Sequence, residues 1–209
     1  MDMILLAVEL VGVMSFAASG AITGLRKGMD LFGVCILGLT TAVGGGVIRD
    51  VILGNTPPAT FQDPIYASVA VVTSLVLFLP RVRHLLMHNQ PLYNFVMLVM
   101  DTLGLGIFTV MGVQLAYTSV PQPTVFLLVF VGVVTGVGGG VLRDMMAGDT
   151  PYIFRKHVYA SASLAGALAC VLLWLPELEL YAMGAGAVTV FFIRGLSAHY
   201  RWNLPRSRD

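Results

Sequence analysis

Two Arg-Asp pairs stand where charge is costly. Arg49-Asp50 and Arg143-Asp144 each lie three residues beyond a glycine triplet, Gly44-Gly45-Gly46 and Gly138-Gly139-Gly140, inside long apolar runs. An ionisable group within a membrane span normally faces the bundle interior and pairs with its opposite, or borders an ion or substrate pathway. Two further carboxylates, Glu9 and Asp101, fall inside other apolar runs. Acidic groups at two depths can draw cations into a pore from both ends, or pair with a motif arginine or bind helix hydroxyls. Thr41 and Thr135, with Thr40, precede the triplets and can offer hydroxyls to such a path or bond back to their own helix. Ser15 and Ser19 are weaker candidates of the same kind.

The glycines bear on how these groups are held. Glycine is a poor helix former, by about 1 kcal/mol against alanine, so three in succession invite a break. Freed backbone groups inside a bilayer are tolerated only where they face protein or water. One reading is therefore a broken helix whose carbonyls and N–H groups open onto a polar cavity. The other is close helix packing through small residues, the role expected for Gly20/Gly24 and Gly132/Gly136. For the Arg-Asp pairs the choices are pairing between the two copies, arginines capping freed carbonyls, or a charge filter beside a pathway.

The elements that carry these groups follow from composition. Of 209 residues 57% are hydrophobic and 11% charged, with mean hydropathy +0.85, which excludes an ordinary soluble globule. Apolar runs cover residues 4–25, 31–53, 65–79, 93–117, 124–147, 158–175 and 180–196. They predict an all-α integral membrane protein of seven transmembrane helices, the third, sixth and seventh shortish, forming one membrane domain over 1–209. Arg26, Lys27, Arg81, Arg83, Arg155, Lys156, Arg201, Arg206 and Arg208, with Arg194 near the same end, all fall on alternate loops. The positive-inside rule makes that side cytoplasmic, with the amino terminus outside. The first run reads as a permanent helix rather than a signal peptide.

Residues 38–57 and 132–151 match at twelve of twenty positions at an offset of 94. The match extends to Tyr66 with Tyr159, Glu9 with Asp101, Phe16 with Phe108 and Gly20 with Gly112. Three helices per copy make the second copy inverted, so 1–90 and 91–176 are two repeats and 177–209 a seventh helix with its tail. Inverted repeats are typical of transport folds. Cys35 and Cys170 read as buried apolar side chains, and the four histidines sit with the basic rim. No HExxH, GxSxG, metal cluster or nucleic-acid signature occurs, so no enzyme, cofactor or metal site is expected. The basic tail reads as an anchor to the lipid bilayer.

The doubled GGGVxRD motif followed by GxTP, in a chain of this size, resembles the prokaryotic relatives of the trimeric intracellular cation (TRIC) channels, some of which are described as glycine transporters. The resemblance implies a homotrimer in a prokaryotic plasma membrane with one pore per subunit. It implies that helices 2 and 5, kinked at Gly44–Gly46 and Gly138–Gly140, line that pore, and that potassium permeates, with sodium as a second ion. The lysine-bearing fourth helix tied to voltage response in animal members has no counterpart, since residues 93–117 hold no Lys or Arg. A small-amino-acid transporter using the same inverted repeat is the alternative.

Overall fold

The computed structural model describes residues 2–155, 158–175, 177–200 and 202. Lys156, His157, Arg201, Arg206 and Arg208 of the basic rim lie outside the described residues, as does the Arg155 side chain. The helices are α1 (Asp2–Arg26), α2 (Leu31–Leu53), α3 (Ala59–Gln62), α4 (Ile65–Phe78), α5 (Pro80–His88), α6 (Gln90–Ser119), α7 (Val125–Met146), α8 (Tyr152–Arg155), α9 (Val158–Leu172) and α10 (Glu179–Tyr200). Among the described residues no strand occurs.

Each of the seven apolar runs is helical, but their lengths differ. α1, α2, α6, α7 and α10 are long and apolar enough to cross a membrane. α4 and α9, the third helices of the two repeats, have 14 and 15 residues, or roughly 21–23 Å at 1.5 Å per residue, short of a bilayer core. α10 is longer than its apolar run, at 22 residues. After Leu79 the chain turns by 71° into α5, a basic helix opening with Pro80, which favours a first helical turn.

The repeat is legible in the helix ends. Asp30 caps α2 by accepting from Gly33 N at 2.7 Å, and Thr124 caps α7 by accepting from Leu127 N at 3.2 Å. Both helices run out into a left-handed glycine, Gly54 at φ 75° and Gly148 at φ 70°, the conformation that glycine supplies most cheaply. A short helix then follows in each copy, α3 and α8. α4 packs on α1 and α2, as α9 packs on α6 and α7, while α10 covers α6 and α9.

The predicted helix breaks are absent. α2 and α7 are helical through both glycine triplets. What the glycines supply is contact. A methyl group at Gly45 would run into the Thr135 carbonyl, and one at Gly139 into the Thr41 carbonyl. One at Gly138 would sit 3.2 Å from Gly45 Cα. α2 and α7 thus cross backbone to backbone, the small-residue mode of membrane helix packing. An unbroken helix keeps every N–H and C=O satisfied within itself, which lipid demands. Propensity measured in water is overridden here by that demand and by the close crossing.

Candidate functional site

The Arg-Asp pairs are local. Arg49 Nε donates to Asp50 Oδ1 at 2.8 Å, and Arg143 Nε to Asp144 Oδ1 at 2.8 Å. The second carboxylate oxygen of each aspartate ties down the segment after its helix: Asp50 Oδ2 accepts from Ala59 N at 2.9 Å and Asp144 Oδ2 from Tyr152 N at 2.7 Å. All four side chains are buried. Pairing between copies, expected as one reading of the motif, is replaced by pairing within each copy. Nor do the arginines cap freed carbonyls, because α2 and α7 have none at the triplets.

Thr41 and Thr135 donate to Leu37 O and Val131 O, both at 2.6 Å, and are fully buried. They bond back to their own helices and line neither cavity described below. Ser15 does the same towards Val11 O at 2.7 Å. Of the six triplet glycines, Gly46 alone lines either cavity.

Two cavities occupy equivalent places in the two copies. The larger, about 1010 Å³, is open at the Arg26 end of α1. Among the described residues its walls carry Arg26, Lys27, Arg143 and Arg194 against Asp101, Asp144 and Asp149, four cations to three carboxylates. At its mouth Lys27 Nζ meets Asp149 Oδ1 at 2.6 Å. The smaller, at the Glu9 end, is lined by Glu9, Gly46, Arg49, Tyr66 and Phe108 and has a volume of only 20 Å³, room for about one water.

Asp101 is the hub of the larger cavity. Its Oδ1 accepts from Arg143 Nη1 at 2.7 Å, from the Tyr159 hydroxyl at 3.4 Å and from Ser19 Oγ at 3.5 Å. Arg143 Nη1 also donates to Ser19 Oγ. On the other oxygen, Oδ2, no hydrogen bond falls among the described residues; Arg194 Nη2 stands 3.7 Å away. Arg194 also lies over the Tyr159 ring at 5.0 Å. At the opposite end the repeat-mates Glu9 and Tyr66 bond at 2.9 Å. Sequence reading brought Asp101 and Arg143 forward but placed Arg194 with the rim cations. The structure buries it at 5% exposure, six residues before the end of α10. A lone arginine in the run VFFIRG was the signal, by the cost of an intramembrane charge.

The apolar residues between the cavities are also repeat-mates. Phe16 and Phe108 pack with ring centroids 5.3 Å apart. On α1, Phe16 falls between Val13 of the small cavity and Thr23 of the large one. Its ring fills the space left by Gly104 and abuts Gly139.

A family model named Glycine transporter matches residues 6–81 and 98–175. A UPF0126 membrane protein of Deinococcus radiodurans is 39% identical over 202 residues, spanning 96% of this chain and 90% of the relative. A structure solved to explain conductance through TRIC cation channels is 35% identical, covers 97% of both chains and superposes with a TM-score of 0.82. The TRIC trimeric intracellular cation channel orthologue from Rhodobacter sphaeroides is 32% identical, covers 95% of this chain and 99% of that one, and has a TM-score of 0.85. The chain belongs to the prokaryotic TRIC family. Its relatives are membrane proteins and cation channels rather than enzymes. As a TRIC family member it is an all-helical membrane protein with five helices long and apolar enough to cross a membrane, or six with the bent α4–α5 pair, among the described residues.

Proposed function

We propose that this protein is a channel for monovalent cations, potassium first and sodium second, with a pore in each subunit of a homotrimer. The observation that carries the reading is the charged cavity of about 1010 Å³ that narrows onto buried Asp101. In line with it stand the phenylalanine pair and the small cavity around Glu9. A cation entering from the large cavity meets carboxylates at Asp149, Asp144 and Asp101, then an apolar constriction of Phe16 and Phe108, then Glu9. Rings of carboxylate and hydrophobic constrictions are the ordinary parts of a cation filter and gate. In this reading the pathway at the Glu9 end is shut. α1 and α6, with α2 and α7 crossing beside them, form the walls, and all seven apolar helices cross the membrane, α4 and α9 with local thinning.

The reading takes support from the cation channels at 35% and 32% identity over nearly the whole chain. The trimer rests on the Rhodobacter orthologue's being trimeric. The alternating cations Arg26, Lys27, Arg81 and Arg83 favour a cytoplasmic large cavity, an outer amino terminus and residence in the inner membrane.

The test is purified protein in planar bilayers with potassium, sodium and glycine compared. Unitary potassium current steps are expected. The name of the matching family model supports a second reading, carriage of a small amino acid. Silent bilayers with saturable glycine counterflow would select it.

A further inference from the structure

We infer that Arg194 is a built-in counter-charge of the conduction path, holding the place beside Asp101 that a permeant cation would otherwise take. The inference rests on the channel reading above. Arg143 and Arg194 are both buried at the end of the large cavity, at 1% and 5% exposure. Asp144 pairs with Arg143 through Nε and is held by Tyr152 N. Of the two carboxylates facing these guanidinium groups, Asp101 is the one that reaches both.

It serves them unequally. Arg143 holds Oδ1 at 2.7 Å, a charge-assisted hydrogen bond. Arg194 stops at 3.7 Å from Oδ2, and among the described residues neither that oxygen nor Arg194 Nε has a hydrogen-bond partner. A buried carboxylate oxygen without a donor is expensive; Asp101 lines the large cavity, but this oxygen is covered, with Arg194 beside it. With Arg194 displaced the oxygen is a seat for a cation, and the loosely held guanidinium is the charge that keeps the seat weak. A conduction site must bind well enough for entry and loosely enough for exit.

Arg194 belongs to α10, outside the duplicated unit, so the Glu9 end has no counterpart. There Glu9 meets Tyr66 and Arg49 stays with Asp50. The seventh helix thus makes two equivalent halves electrically different, and Arg194 sets the strength of the inner site.

The experiment is potassium conductance of the full-length protein in bilayers, at low salt and at 1 M KCl. The series is wild type, Arg194→Gln, Arg194→Lys, Asp101→Asn and the double Asp101→Asn/Arg194→Gln. Losing one positive charge near the path should raise low-salt conductance about threefold, and losing Asp101 should lower it by a similar factor, both effects fading at high salt. Arg194→Lys keeps the charge and should reverse most of the Arg194→Gln rise. The double variant lacks the seat but restores the sum, and should recover about threefold over Asp101→Asn at low salt. If Arg194→Gln does not fold, Asp101→Asn against the double variant reads the same charge, and the double should conduct about threefold better at low salt. Wild-type low-salt conductance in Arg194→Gln, with Asp101→Asn reduced, would overturn the role of Arg194 alone. A silent wild type would overturn the channel reading, and this inference with it.

Discussion

Arg143 Nη1 lies 2.7 Å from Asp101 Oδ1 across α7 and α6, whereas their repeat-mates Arg49 and Glu9 form no such bond, Glu9 taking the Tyr66 hydroxyl instead. One ancestral arrangement has thus been set in two states within a single chain. Where arginine and carboxylate meet, the cavity is large; where they do not, it holds about one water.

The triplet glycines are not equivalent, and alanine substitution separates them. Gly45→Ala should lower thermal stability in detergent, because its methyl meets the Thr135 carbonyl, which cannot move without its helix. Gly46→Ala finds nothing nearer than Arg49 Nη2 at 3.7 Å, and should be neutral or stabilising by up to about 1 kcal/mol through helix propensity. Equal melting temperatures for the two variants would contradict the backbone crossing.

The aspartates of the motif do two jobs each. Asp50→Ala strands buried Arg49, whereas Asp144→Ala leaves Arg143 its bond to Asp101 and should cost less; each releases the amide of Ala59 or Tyr152. For Asp50→Ala a loss of about 3–5 kcal/mol is expected from breaking a buried pair by one partner. Size-exclusion profiles should show a marked fall in folded yield; wild-type profiles and melting curves would argue against the pairing.

The aromatic pair is expected to act as the constriction. Phe16→Ala/Phe108→Ala should raise the probability of potassium flux through liposomes, while Phe126→Ala, at a residue 78% exposed, should leave flux unchanged. Unaltered flux in a folded double variant would remove the pair from the pathway.

Much of this was visible in the residues. The offset of 94 carried over to helix caps, left-handed glycines and the motif aspartates, whose amide partners Ala59 and Tyr152 stand 93 apart, because a duplicated motif brings its local hydrogen bonds with it. The apolar runs gave every long helix, because a bilayer requires such lengths. Three readings went astray for physical reasons. The glycine triplets suggested breaks, but in lipid the helix cannot release its backbone bonds without a polar partner, and a second helix took up the space. Arg49 and Asp50, neighbours in sequence, point to different sides of a helix in simple geometry. The long arginine side chain folds back and closes the pair. Arg194 looked like a rim cation because the apolar run fades soon after it, yet α10 continues to Tyr200.

The central claim is that Asp101 stands on a cation pathway. Single-channel recording of wild type and Asp101→Asn in symmetric KCl at low ionic strength tests it most directly. Discrete potassium steps in wild type, reduced about threefold in amplitude by removing that one charge, are the result predicted. Steps of the same amplitude from both proteins would place the carboxylate off the pathway.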